Sequence, residues 1–186
     1  MVDYLRRVWR LRYFWMSLVR MDLEMRYRSS LLGLGWSLVR PIAMAAVLCV
    51  VFAGLLRVPM RDYAPFLLAG VTVWQFFTEV ALKGCFCFQL GSTYLRQQPM
   101  PLLIFPLRTV LGSGIHALIS LGLAVAVAGW FHGFENFWAL TSLAPTIVML
   151  FLLGMALAVG TGILHSYIPD TQHLDRKSTR LNSSHL

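Results

Sequence analysis

Ser113 and His116 stand three residues apart in "LGSGIHALIS", a spacing that sets a hydroxyl and an imidazole on one helical face. A nucleophile–base pair also needs a carboxylate to orient the imidazole, and no Asp or Glu lies nearby. A structural histidine bonded inside a helix bundle is the better reading. His132 and His165 sit at the ends of apolar runs, where an interfacial role is enough. Glu79 is the sharper case, because a carboxylate inside an apolar run is costly and usually faces a bundle interior, a water path or a partner. Lys83 follows at i,i+4, so a structural ion pair competes with that account. Cys49, Cys85 and Cys87 read as small hydrophobes, since Cys-Phe-Cys lacks the further ligands a zinc site needs. No G-x-x-x-x-G-K-[ST] occurs, so this chain does not cradle ATP phosphates itself, and no cofactor is expected in it.

These residues sit in a chain whose composition points to lipid as solvent. Of 186 residues, 58% are hydrophobic and 13% charged, and the mean hydropathy is +0.66. A soluble domain of this length needs more polar surface. The net charge of +8 lies between apolar segments, as juxtamembrane charge does, and argues against nucleic acid as a partner.

Four stretches are long enough to cross a hydrocarbon core of about 30 Å. They run at about 36–56, 63–82, 109–131 and 137–164, and the second can continue as helix through the apolar 85–90. Arg40 and Pro41 interrupt the first, and Pro145 is placed to kink the fourth. Small residues recur in the last two spans, where they let helices approach closely. The fold class expected is an all-α membrane protein, a polytopic helical bundle with an N-terminal amphipathic interfacial helix over 1–30. Arg6, Arg7, Arg10, Arg12, Arg20, Arg26 and Arg28 precede the first span, whereas "HGFEN" between the third and fourth has no Lys or Arg. Positive-inside counting therefore puts the N-terminus and the 91–108 loop in the cytoplasm of a multi-pass inner (plasma) membrane protein. No cleavable signal peptide is read, because the early apolar residues are periodic.

Within 1–30, Leu5, Val8, Trp9, Trp15, Met16, Val19 and Leu23 gather on one side, with Arg6, Arg10, Ser17, Arg20 and Glu24 opposite. Arg20–Glu24, Asp22–Arg26 and Glu24–Arg28 have pairing distance at i,i+4. Such a helix suits the headgroup layer, and packing on a soluble partner is the alternative. The stretch "RYRSSLLGLGWSLVRP" (26–41) then turns the chain inward: Arg26 and Arg28 among lipid phosphates, Ser29 or Ser30 as cap, Trp36 as interfacial anchor. Arg40 can snorkel to headgroups or meet a lipid-borne phosphate.

That stretch resembles the lead-in motif of ABC-2-type transporter permeases, specifically exporters of O-antigen, capsular polysaccharide and teichoic acid. The residues that match are Arg26, Tyr27, Arg28, Ser30, Leu32, Gly33, Trp36, Ser37 and Pro41. "YAPFLLAGVTVWQFF" (63–77) resembles the family's second span through Gly70, Trp74 and Phe77. "YLRQQPMPLLIFPLRTVL" (94–111) resembles the cytoplasmic loop after it through Pro101, Pro106 and Arg108. "YIPDTQHL" (167–174) is similar to the family's block after the fourth span, except that Pro169 stands where arginine is usual. Family members continue with an external segment and two more spans. This chain ends in "DRKSTRLNSSHL", so 31–174 reads as a truncated transmembrane domain with four of six spans. Residues 175–186 read as a non-native scar, or as a short disordered tail.

The resemblance implies a permease subunit moving lipid-linked polysaccharide, paired with a second copy and driven by a separate ATP-binding subunit. It implies a coupling element around Tyr94, Arg96, Pro101, Pro106 and Arg108, with a plain connector as the bland alternative and the N-terminal helix as a second contact. A sugar path tolerant of many hydroxyls would use aromatic rings; Trp74 and Phe77 are the first candidates, with Glu79 beside them and Phe76, Phe86, Phe88 and Tyr94 behind. Rivals are a drug or small-lipid ABC-2 exporter, a membrane enzyme acting on polyprenyl-linked sugars, and a non-catalytic assembly protein. The enzyme would need clustered acids or histidines on cytoplasmic loops, and only Asp170 with His173 offers such a grouping.

Overall fold

The computed structural model describes residues 2–27, 35–56, 59–95, 100–133, 141 and 143–167. All of its regular elements are helices: α1 (Val2–Arg10), α2 (Arg12–Tyr27), α3 (Trp36–Leu56), α4 (Met60–Leu95), α5 (Ile104–His132) and α6 (Leu143–Tyr167). The chain is an all-helical, polytopic membrane protein. Stretches within α4, α5 and α6 (Arg61–Ser92, Ile104–Phe131 and Leu143–Tyr167) are long and apolar enough to span a bilayer. The first expected span is less clear-cut, because the apolar part of α3 found among the described residues, Leu38–Phe52, is shorter than a full crossing.

Helices α3 to α6 are apolar nearly all round, as expected where lipid replaces water on the outer face. Packing then depends on close approach rather than on hydrophobic drive. The central helix is α4, which packs against α3, α5 and α6. Phe76 and Val80 of α4, Val110 of α5 and Ala158 of α6 form one buried cluster, flanked by Phe77, Ala117 and Met155. Ala45 of α3, Leu68 of α4 and Ala124 of α5 form a second. Two glycines make the α4–α6 contact possible. A Cβ at Gly154 would lie 2.8 Å from the Phe76 ring, and one at Gly84 would lie 2.5 Å from the Thr161 hydroxyl and 3.0 Å from the Ala158 Cα. Two threonine hydroxyls inside the bundle fold back on their own helices: Thr72 donates to the Leu68 carbonyl at 2.7 Å, and Thr161 to that of Leu157 at 2.9 Å.

α4 runs unbroken for 36 residues, about 54 Å at 1.5 Å per residue, and so exceeds the 63–82 span expected from hydropathy. At its start, Arg61 Nε donates to the Phe131 carbonyl at 2.7 Å. It satisfies a free acceptor in the last turn of α5 with a charge favourable to that helix end. Pro145, expected to kink the fourth span, falls three residues into α6 as bounded here, where a missing N–H costs little.

The N-terminal arm also differs from a single helix. It is broken at Leu11, and the Trp15 indole donates across the break to the Val8 carbonyl at 3.2 Å. Val8, Leu18 and Val19 are buried, while Trp9 and Met16, expected on the same apolar side, are exposed. Arg20 and Glu24 pair at 2.8 Å as their spacing predicts.

Candidate functional site

A groove of about 710 Å³ lies between α2, α4 and α5, within the size range of ligand sites. One wall carries Leu82, Phe86 and Leu90 of α4, spaced four residues apart and all exposed. The opposite wall is one face of α5: Arg108, Gly112 and His116 at i, i+4 and i+8. Asp22 and Leu23 of α2 close one end.

Charge concentrates at that end. Arg108 Nε donates to Asp22 Oδ2 at 2.6 Å, and a second guanidinium N–H donates to Oδ1, making a forked pair. The Arg108 side chain is 15% exposed and that of Asp22 37%. Lys83 lines the groove from α4 and is held by Glu79 at 2.6 Å. At the inner end is His116, 8% exposed. Ser113, one turn before it, is buried with no hydrogen-bond partner for its hydroxyl among the described residues.

The residues expected to matter are distributed unevenly around this groove. Trp74 points outward, 73% exposed. Phe77 packs edge-on against Phe76 in the α4–α5–α6 core, ring centroids 5.4 Å apart. Glu79 meets Lys83, as the ion-pair account requires. Trp74, Phe77 and Glu79 thus occupy three different settings along α4, and none of them lines the groove. Phe86, from the wider aromatic set, does line it, and its ring also meets His165 edge-on at 5.0 Å.

Of the expected coupling residues, Tyr94, Pro101, Pro106 and Arg108 are described, and Arg96 lies outside the described residues. Tyr94, Arg108 and the neighbouring Leu103 meet the N-terminal arm. The Tyr94 ring stands edge-on to Phe14 at 6.0 Å. The Leu103 N–H donates to the Tyr4 hydroxyl at 3.2 Å. Arg108 holds Asp22. Pro106 is fully buried in the first turn of α5. The described parts of the two elements singled out separately in the sequence therefore pack on each other.

Of the lead-in motif, Arg28, Ser30 and Gly33 lie outside the described residues. Arg26 and Tyr27 end α2 and Trp36 begins α3, with their side chains outside the description; Pro41 is buried. The 167–174 block, apart from Tyr167, and the 175–186 tail also lie outside it.

No family model matches the chain. Among curated proteins, two O-antigen export system permeases RfbA from Klebsiella pneumoniae are 32% and 30% identical, over 104 and 105 residues. Each match covers 56% of this chain and 40% of the relative. An O-antigen export system permease RfbA from Myxococcus xanthus is 25% identical over 175 residues, 94% of this chain and 66% of the relative. The chain is a relative of the O-antigen export permeases. The resemblance read from the lead-in motif is thereby borne out, and the chain spans 40% to 66% of the length of these permease relatives.

Proposed function

We propose that the protein is the membrane-spanning permease subunit of an ABC exporter that carries a lipid-linked polysaccharide (O-antigen, capsule or teichoic acid) outward across the inner membrane. It works as a homodimer powered by a separate ATP-binding subunit, and it is not itself an enzyme. The reading is carried by the similarity to permeases named for O-antigen export, which in the Myxococcus relative runs along 94% of the chain. A bundle of long apolar helices with an arginine-rich N-terminal arm supports it. In this reading the arm lies on the cytoplasmic face in the inner-leaflet headgroups. The surface formed by α1, α2, the end of α4 at Tyr94 and the start of α5 at Arg108 takes the push from the ATP-binding subunit, its parts joined by the Tyr94–Phe14 ring contact and the Asp22–Arg108 ion pair.

Deleting the full-length gene tests the proposal. Cells are expected to lose surface polymer and to accumulate the lipid-linked glycan inside, and complementation by the intact gene restores export. Unchanged surface polymer in the deletion strain overturns it.

A further inference from the structure

Charge in the groove between α2, α4 and α5 is balanced but spatially separated. Asp22, Lys83 and Arg108 line it, and Glu79 joins Lys83 from the preceding turn of α4, so the four charges cancel. Both lining pairs keep capacity for a further partner. Arg108 takes two of the about four acceptor positions of the Asp22 carboxylate, and the Asp22 side chain stays 37% exposed. Lys83 meets Glu79 through its ammonium and stays 47% exposed. The groove thus offers a negative acceptor on α2 and a positive donor on α4, beside the exposed apolar strip of Leu82, Phe86 and Leu90. Gly112 on the α5 wall adds room, since an added Cβ there would meet nothing within 4 Å.

From this arrangement we infer that the groove seats a bilayer phospholipid with a primary-ammonium headgroup. Its phosphate lies at Lys83, its ammonium on the open side of the Asp22 carboxylate, and an acyl chain along Leu82 and Phe86. The occupant is a constituent of the surrounding membrane and not cargo, so the inference goes beyond the export reading and does not depend on it. Charge decides among headgroups. An anionic phospholipid brings a phosphate for Lys83 but sets a second negative charge near Asp22. A choline headgroup brings a cation without an N–H, so it cannot hydrogen-bond the carboxylate. A primary ammonium supplies both charge and donors, and neither resident ion pair has to break. The seated lipid touches α2 through Asp22 and α4 through Lys83, and so joins the N-terminal arm to the bundle alongside Arg108.

The test uses the full-length permease in detergent, titrated with phosphatidylethanolamine, phosphatidylcholine and phosphatidylglycerol of matched acyl chains. Bound lipid is counted by native mass spectrometry. Saturable binding of phosphatidylethanolamine is expected, with the other two about tenfold weaker, equivalent to about 1.4 kcal/mol. On the unaltered protein, stepwise N-methylation of the headgroup should lower binding as N–H donors are lost. Asp22→Asn keeps the shape and removes the charge, and should bring phosphatidylethanolamine down to the level of phosphatidylcholine. Gly112→Leu fills the open space and should weaken phosphatidylethanolamine by about tenfold. Should Asp22→Asn not fold, the methylation series and Gly112→Leu still decide. Equal binding of the three lipids means a general lipid coat and overturns the assignment, as does a preference for phosphatidylglycerol or phosphatidylcholine. A preference that survives Asp22→Asn, or binding unchanged in Gly112→Leu, places the lipid elsewhere and overturns it too.

Discussion

Asp22 and Arg108 are 86 positions apart and are joined by a two-point ion pair that ties the second N-terminal helix to the start of α5. Because Arg108 is largely buried, removing its partner leaves a cation with nothing to balance it. Asp22→Ala should weaken attachment of the arm by about 1–2 kcal/mol, the part-exposure of Asp22 keeping the cost below that of a fully buried pair. Hydrogen exchange on the full-length permease should show faster exchange over 12–27 with α4 unaffected, and the Asp22→Arg, Arg108→Asp double variant should regain part of the loss. Equal exchange in wild type and Asp22→Ala would mean that the arm is held by other contacts.

The α4–α6 contact depends on glycine at Gly84 and Gly154. Gly84→Val drives a side chain into Ala158 and Thr161, and overpacking of this kind costs about 1–3 kcal/mol. Gly70, with open space around it, is the matched control: Gly70→Ala should be neutral or stabilise slightly through helix propensity. Thermal unfolding in detergent, followed by size-exclusion fluorescence, compares the two. Similar midpoints would show that α4 and α6 do not need close approach.

Glu79 separates two roles by assay. Its carboxylate meets Lys83 at 2.6 Å, with the side chains 24% and 47% exposed, so the pair is not sealed off. Glu79→Gln keeps shape and one acceptor while removing charge. A role in the path predicts slower polymer export with dimer assembly intact, as read by surface-polymer staining and cross-linking in the same cells. Loss of assembly would instead assign the pair a structural task.

Orientation is checked by labelling. Cys49 and Cys87 are buried and Cys85 is half-buried, so the labelling is done on a Cys85→Ser background. Cysteines placed at the exposed Ser17 and Arg20 should resist a membrane-impermeant maleimide in intact cells and react after permeabilisation. Reaction in intact cells would reverse the proposed topology.

Much of the architecture could be read from the sequence, because lipid as solvent leaves a strong mark on composition. The apolar runs at 109–131 and 137–164 overlap α5 and α6, whose described first residues are Ile104 and Leu143. Boundaries set by hydropathy alone cut α4 short, since a helix does not end where its apolar window does; Gln89, Ser92 and Thr93 simply continue it. The groove was less legible. Local spacing paired Asp22 with Arg26, and nothing local could show that Arg108, 86 residues on, would come within reach. Trp74 was the favoured path residue because of its type, yet type does not fix which way a side chain faces on a helix that is apolar all round. Arg108 did stand out, but within a loop motif rather than as one side of a site.

The length of α4 has a mechanical meaning. At about 54 Å it outreaches a hydrocarbon core of about 30 Å, so a good part of the rod stands clear of the oil or leans steeply through it. With Arg61 fastened to the tail of α5 and Tyr94 set against the arm, both ends of that rod are gripped. Its two ends are thus tied to different neighbours, with the glycine contact to α6 lying between them.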